Sequence, residues 1–417
     1  MDGVYIVGAG MTRLGKFPDL SVKALTKTVV TSVLQDAGCA MSDIGAAWFA
    51  NSGQGATEGQ HSVRGQMALR SMGFEGIPIT NVENACASGS TAFNQACAYV
   101  RAGWSEIVLA VGCEKMIFPD REKSFSAFLG GVDIHNTQET IVRMLSLGEG
   151  VIPPEDAAGQ DGMRSPFMDI YAAMARFHMK AFGTTQRQLA AVSSKNHYHS
   201  TMNPLSQYQK DMSIEEVLNA RVVSWPLTLP MCSPISDGAA AVVLCTKEAL
   251  PRFDPSRAIQ VYATVLGSSM NREPQDMEKH ICRLLALKAY DQAGVEPRDM
   301  SLAEIHDATA FAEIQQSENL GFCELGQGGW IAERGETRLG GRIPINVSGG
   351  LESKGHPIGA TGLAQICELV VQLRGEAGAR QVRNTRFGIA ENGGGFYGIE
   401  EAAACVTILG RQLYETR

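Results

Sequence analysis

Four short stretches bring together a thiol, two imidazoles and a run of glycines. The first, Asn84-Ala85-Cys86-Ala87-Ser88-Gly89, places Cys86 between an apolar segment and a helical one. A sulfur there sits near unpaired backbone N–H groups and the positive end of a helix dipole, which is expected to lower its pKa and favour a nucleophilic thiolate. Asn84, Ser88 and Gly89 supply turn chemistry, whereas Cys97, Cys245 and Cys405 lie in apolar surroundings and are expected to be packing residues. The second stretch, 349–362, carries His356 just before Pro357, a residue suited to a first helical position. An imidazole there can take the proton of a thiol and then donate to a developing oxyanion; simple capping is the alternative role. The third, 304–311, is an apolar strand ending in His306 and Asp307. The fourth, Glu391-Asn392-Gly393-Gly394-Gly395, exposes backbone N–H groups as oxyanion donors, or is a flexible turn.

The elements around these residues follow from hydrophobic period and turn residues. Strands are predicted at 4–7, 46–50, 77–82, 106–112, 259–266 and 302–306, and helices at 22–37, 62–71 and 281–293. Apolar positions 92, 93, 96, 97 and 100 have helical spacing directly after Cys86. From 114 to 226 the texture changes to charged, Met-rich and Pro-containing segments with helical patterns at 168–182 and 186–196, as in an insertion lying over a sheet. From 237 the sheet-like rhythm returns. The spacing Gly89-x-Thr91-x-x-x-Gln95-x-Cys97 reappears as Gly359-x-Thr361-x-x-x-Gln365-x-Cys367, each copy opening a helix after a candidate active-site residue. Two duplicated α/β halves with an insertion between them account for this pattern. The expected boundaries are 1–113 for the first part of the N-terminal half, 114–226 for the insertion, 227–257 for the end of that half, and 258–417 for the C-terminal half.

Bulk properties narrow the function. The chain has 417 residues, 44% hydrophobic and 19% charged, enough for a sizeable core, and its 45 glycines suit tight strand-to-helix turns. A net charge of −8 without a Lys/Arg cluster argues against nucleic acid as a partner, although a local basic pocket can still bind an anionic cofactor such as coenzyme A. The ten cysteines form no C-x-x-C, so no metal site is expected in this chain, and they read as reduced thiols of a cytoplasmic protein. No signal peptide or membrane span is expected. Gly8 and Gly10 begin a dinucleotide fingerprint, but Arg13 occupies its third position.

Taken together, Asn84-Ala85-Cys86-Ala87-Ser88-Gly89, His306-Asp307-Ala308, Gly355-His356-Pro357 and the turn 392–395 resemble the thiolase superfamily over essentially the whole chain. Val-Gly-Ala-Gly-Met-Thr near the start and the His-Asp pair are similar to its sterol-carrier, or lipid-transfer, branch. The resemblance implies a duplicated five-layered αβαβα fold and usually a homodimer. It implies that Cys86, activated by His356, attacks a 3-oxoacyl-CoA, with N–H groups at Cys86 and Gly394 (and Asn392 in the same loop) around the oxyanion. His356 and His306 would stabilise the departing enolate, and coenzyme A would release the acyl group.

One departure stands out. The second cysteine that usually shuttles the α-proton is absent: its two customary positions hold Asn392 and Ala308. Cys113, Glu352 and Tyr397 are candidate substitutes, or the substrate forms a stabilised carbanion. The pattern is closest to thiolases that work with a small zinc-ribbon/OB-fold partner. These include acetoacetyl-CoA thiolases, benzoylsuccinyl-CoA thiolase, which is the favoured reading, and retro-aldolases of steroid side chains, which generally lack the cysteine. A ketosynthase, which would draw on acyl-carrier protein, is disfavoured by Gly-His-Pro-Ile-Gly-Ala-Thr-Gly. A non-catalytic lipid or acyl-CoA carrier is disfavoured by retention of Cys86 and His356.

Overall fold

A computed structural model describes residues 3–154 and 165–411; the expected insertion and C-terminal half extend outside the described residues at 155–164 and 412–417. In chain order the strands are β1 (Val4–Met11), β2 (Ala46–Ala50), β3 (Ile79–Val82), β4 (Ile107–Glu114), β5 (Val222–Ser224), β6 (Leu227–Thr228), β7 (Gly238–Thr246), β8 (Ile259–Ser268), β9 (Met300–Glu304), β10 (Phe387–Tyr397) and β11 (Glu400–Arg411). Apart from β5 and β6, which pair with each other, they form one sheet in the order β3-β2-β4-β7-β1-β8-β11-β10-β9.

The order contains a repeat. From β1 outwards, two antiparallel pairings lead through β7 to β4, and two parallel ones lead through β2 to β3. From β8 outwards, two antiparallel pairings lead through β11 to β10 and a parallel one leads to β9, which makes a parallel bridge to Ile345. The halves join where β1 and β8 pair over three residues, Val4 to Ile6 against Val261 to Ile259.

The helices Ser88–Arg101 and Thr361–Arg374, the two copies of the repeated spacing, lie between the halves. Ala92, Phe93, Ala96 and Cys97 from one, with Leu363, Ile366, Leu369 and Val370 from the other, share a core with inward residues of both sheet halves. The outer face of the first half is covered by Val22–Ala37, whose ends are set by the Ser21 side chain accepting from Ala24 N–H and by Gly38 in the left-handed region (φ 71°). The outer face of the second half is covered by Ile281–Ala293. Five layers result, each apolar strand face meeting an apolar helix stripe.

The segment between β4 and β7 leaves and returns across one rung of the ladder, Glu114 opposite Gly238. Its helices Pro166–Phe182 and Gln186–Thr201 build a separate core over the sheet ends with Phe311, Ile314 and Phe396. The fully buried Asp237 carboxylate accepts from Lys115 Nζ (2.7 Å) and from the N–H groups of Met116 (2.7 Å), Ile117 (2.8 Å) and Phe17 (3.1 Å). That set of charge-assisted bonds offsets the cost of burying the charge and ties the segment's exit to its re-entry.

The central layer depends on missing side chains. A Cβ added to Gly112 would stand 2.2 Å from Gly359 O, one on Gly89 3.0 Å from the same oxygen, and one on Gly362 2.4 Å from Ser90 N. Substituting Gly112→Ala is expected to force the two halves apart at this point and to cost about 1–3 kcal/mol of stability. Urea denaturation checks this; an unshifted midpoint would mean that the contact is slack.

Candidate active site

Cys86 stands at a sharp turn between β3 and the helix Ser88–Arg101. Ala85 has φ +47°, an uncommon conformation for a residue with a side chain. It is held by Glu83 Oε1, which accepts from Ala85 N–H at 2.7 Å, and by the Ser88 hydroxyl, which donates to Ala85 O at 2.6 Å. Asn84 Nδ2 donates to Thr91 Oγ1 at 3.0 Å, so the turn is fastened to the first turn of the helix.

His356 approaches from the other half. Its N–H donates to Ser236 Oγ (2.9 Å), and its Nδ1 lies 2.7 Å from Thr361 Oγ1. Because the Thr361 hydroxyl donates to Pro357 O (3.0 Å), its oxygen accepts from Nδ1–H, leaving the Nε2 lone pair free. Pro357 is not the first helical residue, as the sequence pattern predicts. It is extended (φ −75°, ψ 105°) and precedes a 3-10 turn, Ile358–Ala360, with the α-helix starting at Thr361. The 3-10 turn lets Gly359 N–H reach the Glu114 carboxylate at 3.0 Å.

His306 follows β9, and its N–H donates to Glu391 Oε2 at 3.0 Å. Both of its ring nitrogens are buried without a hydrogen-bond partner. Asp307 turns away and accepts from Leu351 N–H (2.7 Å) and Asn196 Nδ2 (3.1 Å), which fixes the loop before His356. One atom each of Cys86, His306 and His356 lie within 4.8 Å of one another. Three predicted site residues thus converge from three separate loops.

Their electrostatics differ from the expectation of a depressed thiol pKa. Burial, then the carboxylates of Glu114 and Glu83, push Cys86 up to about 12, only partly offset by the N–H groups of Cys86 and Gly395 directed at it. Burial lowers His306 to about 4, and burial with His306 and Lys354 nearby holds His356 well below its ordinary range. Desolvation outweighs the helix end, because the two imidazoles are buried and the thiol is only partly exposed. These shifts favour a neutral thiol beside two neutral imidazoles.

The glycine-rich stretch also differs from expectation. Residues 391–395 are not a turn but part of β10, with Asn392 opposite Cys405 and Gly394 opposite Ala403. Gly394 lines the active-site cavity and packs against the nucleophile turn; an added Cβ would stand 2.3 Å from Asn84 O. The strand N–H directed at the sulfur belongs to Gly395, whose φ of +63° requires glycine. Asn392 faces the central helices, where its Oδ1 accepts from the Ser90 hydroxyl at 2.8 Å.

The three candidate substitutes for the second cysteine lie elsewhere. Cys113 is in the outer core and donates to Val22 O, Glu352 is buried against Asn196, and Tyr397 is 57% exposed beside a neighbouring depression. The cavity measures about 600 Å³. Sequence reasoning missed several of its residues: Phe167, Tyr171 and Phe396, which form a connected aromatic wall, together with Cys232 and Glu401. Phe167 stacks on Phe396 and Tyr171 meets it edge-on, both at 5.5 Å between centroids. Their only signal in sequence was membership of helical or apolar patterns.

Residues 4–219 match the family model for the thiolase N-terminal domain, and residues 265–411 match that described as thiolase C-terminal domain-like. The chain belongs to the thiolase family. Acetyl-CoA acetyltransferase of Methanothermobacter thermautotrophicus is 36% identical over 397 residues, spanning 95% of this chain and 97% of that protein. Sterol carrier protein 2 of Bos taurus is 35% identical over 406 residues, 93% of this chain and 69% of that protein. Benzoylsuccinyl-CoA thiolase subunit BbsB of Thauera aromatica is 31% identical over 383 residues, 91% of each chain. The solved Ltp2-ChsH2(DUF35) aldolase shares the fold, with a TM-score of 0.76 and 22% identity over 99% of this chain and 98% of that one. This thiolase is an acyltransferase of the sterol-carrier-like branch. Among its described residues no helix is long and apolar enough to cross a membrane.

A neutral resting thiol makes a kinetic prediction. Alkylation of Cys86 by iodoacetamide, followed on its peptide by mass spectrometry, is expected to quicken about tenfold per pH unit from about pH 6 to 9, because thiolate sets the rate. A plateau below about pH 8 would instead reveal a preformed thiolate–imidazolium pair.

Proposed function

We propose that this thiolase cleaves a bulky 3-oxoacyl-CoA with coenzyme A through an acyl-Cys86 intermediate, and that 2-benzoylsuccinyl-CoA, giving benzoyl-CoA and succinyl-CoA, fits the cavity best. The carrying observation is the convergence of Cys86, His306 and His356 within 4.8 Å at one end of an aromatic cavity. His356 Nε2 takes the Cys86 proton as sulfur attacks the keto carbon, so the thiolate exists only as it reacts. N–H groups of Cys86 and the Gly394-Gly395 edge of β10 are the oxyanion donors in this reading. The imidazole of His306, with no protein partner at either nitrogen, is available to the thioester oxygen of the departing enolate.

Phe125, Phe128, Phe167, Tyr171 and Phe396 give the acyl group a wall suited to an aromatic ring, and Arg221 adds a cation for a carboxylate on the chain. The 31% identity to BbsB supports the same substrate, and its designation as a subunit supports a small zinc-ribbon/OB-fold partner. Acetoacetyl-CoA is the second substrate to test, given the 36% identity to an acetyl-CoA acetyltransferase. The retro-aldolase and carrier readings leave Cys86 without a role. We place the protein in the cytoplasm as a homodimer, a setting compatible with its ten free cysteines.

The test is coenzyme A-dependent cleavage of a 3-oxoacyl-CoA panel that includes 2-benzoylsuccinyl-CoA, by the chain alone and with a candidate small zinc protein. Cys86→Ala is expected to abolish turnover, and His356→Asn to lower it by about 100-fold or more. Equal activity in Cys86→Ala would overturn the mechanism, and preference for acetoacetyl-CoA would overturn the substrate assignment.

A further inference from the structure

Thiolytic cleavage in this cavity leaves one proton without a carrier. As the carbon–carbon bond breaks, its electron pair stays on the α-carbon of the departing acyl-CoA, which must gain a proton. His356 already holds the one taken from Cys86, and neither Ala308 nor Asn392 has an acidic group to offer.

The other carboxyl, thiol and phenol groups of the cavity differ in how free they are. Glu83 Oε1 accepts from Ala85 N–H at 2.7 Å and from the Ser52 hydroxyl at 3.0 Å, on the exposed side of the turn. Cys232 donates to Thr228 O within its own short turn (3.5 Å). Burial raises Tyr171 well above its ordinary range. Glu401 is different. It lines the cavity from β11 at 2% exposure, and its side chain crosses β10 where Gly393 leaves space, since a Cβ there would stand 2.6 Å from Glu401 Cγ. Gln316 Nε2 donates to its Oε1 at 3.1 Å, whereas its Oε2 is buried without a hydrogen-bond partner.

Behind that oxygen, 3.4 Å away, is His280 Nε2. His280 Nδ1 accepts the N–H of Cys282 at 3.2 Å, so the ring proton sits on Nε2 and faces Glu401. In that tautomer the ring N–H of His280 lies beside Glu401 Oε2 without closing a hydrogen bond to it. Arg272, Glu400 and Glu391 complete the charged surroundings: Arg272 pairs with Glu400, and Glu391 accepts from Cys282 Sγ at 3.2 Å.

We propose that Glu401 is the second acid/base of the reaction, standing in for the absent cysteine, and that His280 is its positioning residue. The proposal rests on the thiolytic reading above. Cys86 gives its proton to His356 and bonds to the keto carbon. The tetrahedral oxyanion collapses, the carbon–carbon bond breaks, and its electron pair takes the carboxyl proton of Glu401. Coenzyme A then loses its thiol proton to solvent and attacks the acyl-Cys86 carbonyl as its thiolate, Glu401 regains a proton from solvent, and the leaving Cys86 thiolate recovers its proton from His356. Burial, with Glu400 opposing the relief from its own N–H, Arg272 and Gln316, lifts Glu401 to about 7, so both forms are populated at neutral pH.

The test compares two routes to acyl-Cys86 in the full-length protein, both read as a mass increase on the Cys86 peptide. A simple acyl-CoA releases coenzyme A as a stable thiolate, whereas the 3-oxoacyl-CoA with the same acyl group must release a carbanion. Glu401→Gln is expected to lower the ratio of 3-oxoacyl to simple acylation rates by about 100-fold or more, with Glu401→Asp in between. In the wild type the ratio is expected to fall as pH rises through about 7, where Glu401 loses its proton, and His280→Gln is expected to move that pH. An unchanged ratio in Glu401→Gln, or a wild-type ratio flat from about pH 6 to 8, would overturn the proposal; the wild-type measurement needs no variant to fold. If neither compound labels Cys86 in the wild type, the thiolytic reading itself has failed.

Discussion

The close approach of two backbones at glycine is the constraint on which the rest of the molecule depends. Cys86 and His356 are 270 residues apart in sequence, each placed before one of the two central helices. Those helix starts meet only because Gly89, Gly112, Gly359 and Gly362 present hydrogen where any other residue would present carbon. The Glu114 carboxylate locks the contact, accepting from Ser52, Gly53 and Gly359 N–H groups at 3.0 Å each and from Asn51 Nδ2 at 2.9 Å. Its four donors offset part of the cost of burying it, and burial still raises Glu114 to about 7. The distance between Cys86 and His356 is therefore set by the packing of main chain against main chain, and interiors packed this closely have low compressibility.

Dryness has a second effect. The surroundings that align Cys86, His306 and His356 also disfavour their charged forms. In the proposed reaction, proton transfer and bond formation are then coupled to the arrival of a carbonyl, and thiolate forms opposite the N–H groups that receive the new oxyanion. A neutral thiol is also a poor target for oxidants, which attack thiolate.

Much of this was legible in sequence. The helix Val22–Ala37 is bounded by Ser21 and Gly38, and its buried positions 22, 25, 26, 29, 30, 33 and 34 follow helical period. The nucleophile turn and the repeated spacing marked the two central helices. The glycine-rich stretch 391–395 was misread because its glycines lie within a strand, and only pairing with β11 shows that they serve close packing. The sign of the Cys86 shift was hidden because it depends on Glu114, brought in by the sheet, and on the covering insertion. Glu400-Glu401 looks like a solvated charge pair in sequence. Burial of Glu401 follows from Gly393 on the neighbouring strand, a relation that no local window contains. Cys113 and Tyr397 were reasonable by composition but point to the outer core and the surface.

The knot at Asp237 has a wider meaning. It gathers Phe17, Lys115, Met116 and Ile117 where the chain leaves and re-enters the sheet, while the aromatic wall of the cavity comes largely from what lies between. The proposed catalytic groups lie outside the segment so fastened, and most of the cavity's aromatic residues lie within it. Reaction and diet are thus written on different stretches of polypeptide. A lineage could rewrite the second, by substitution or wholesale exchange between strands β4 and β7, without disturbing the first.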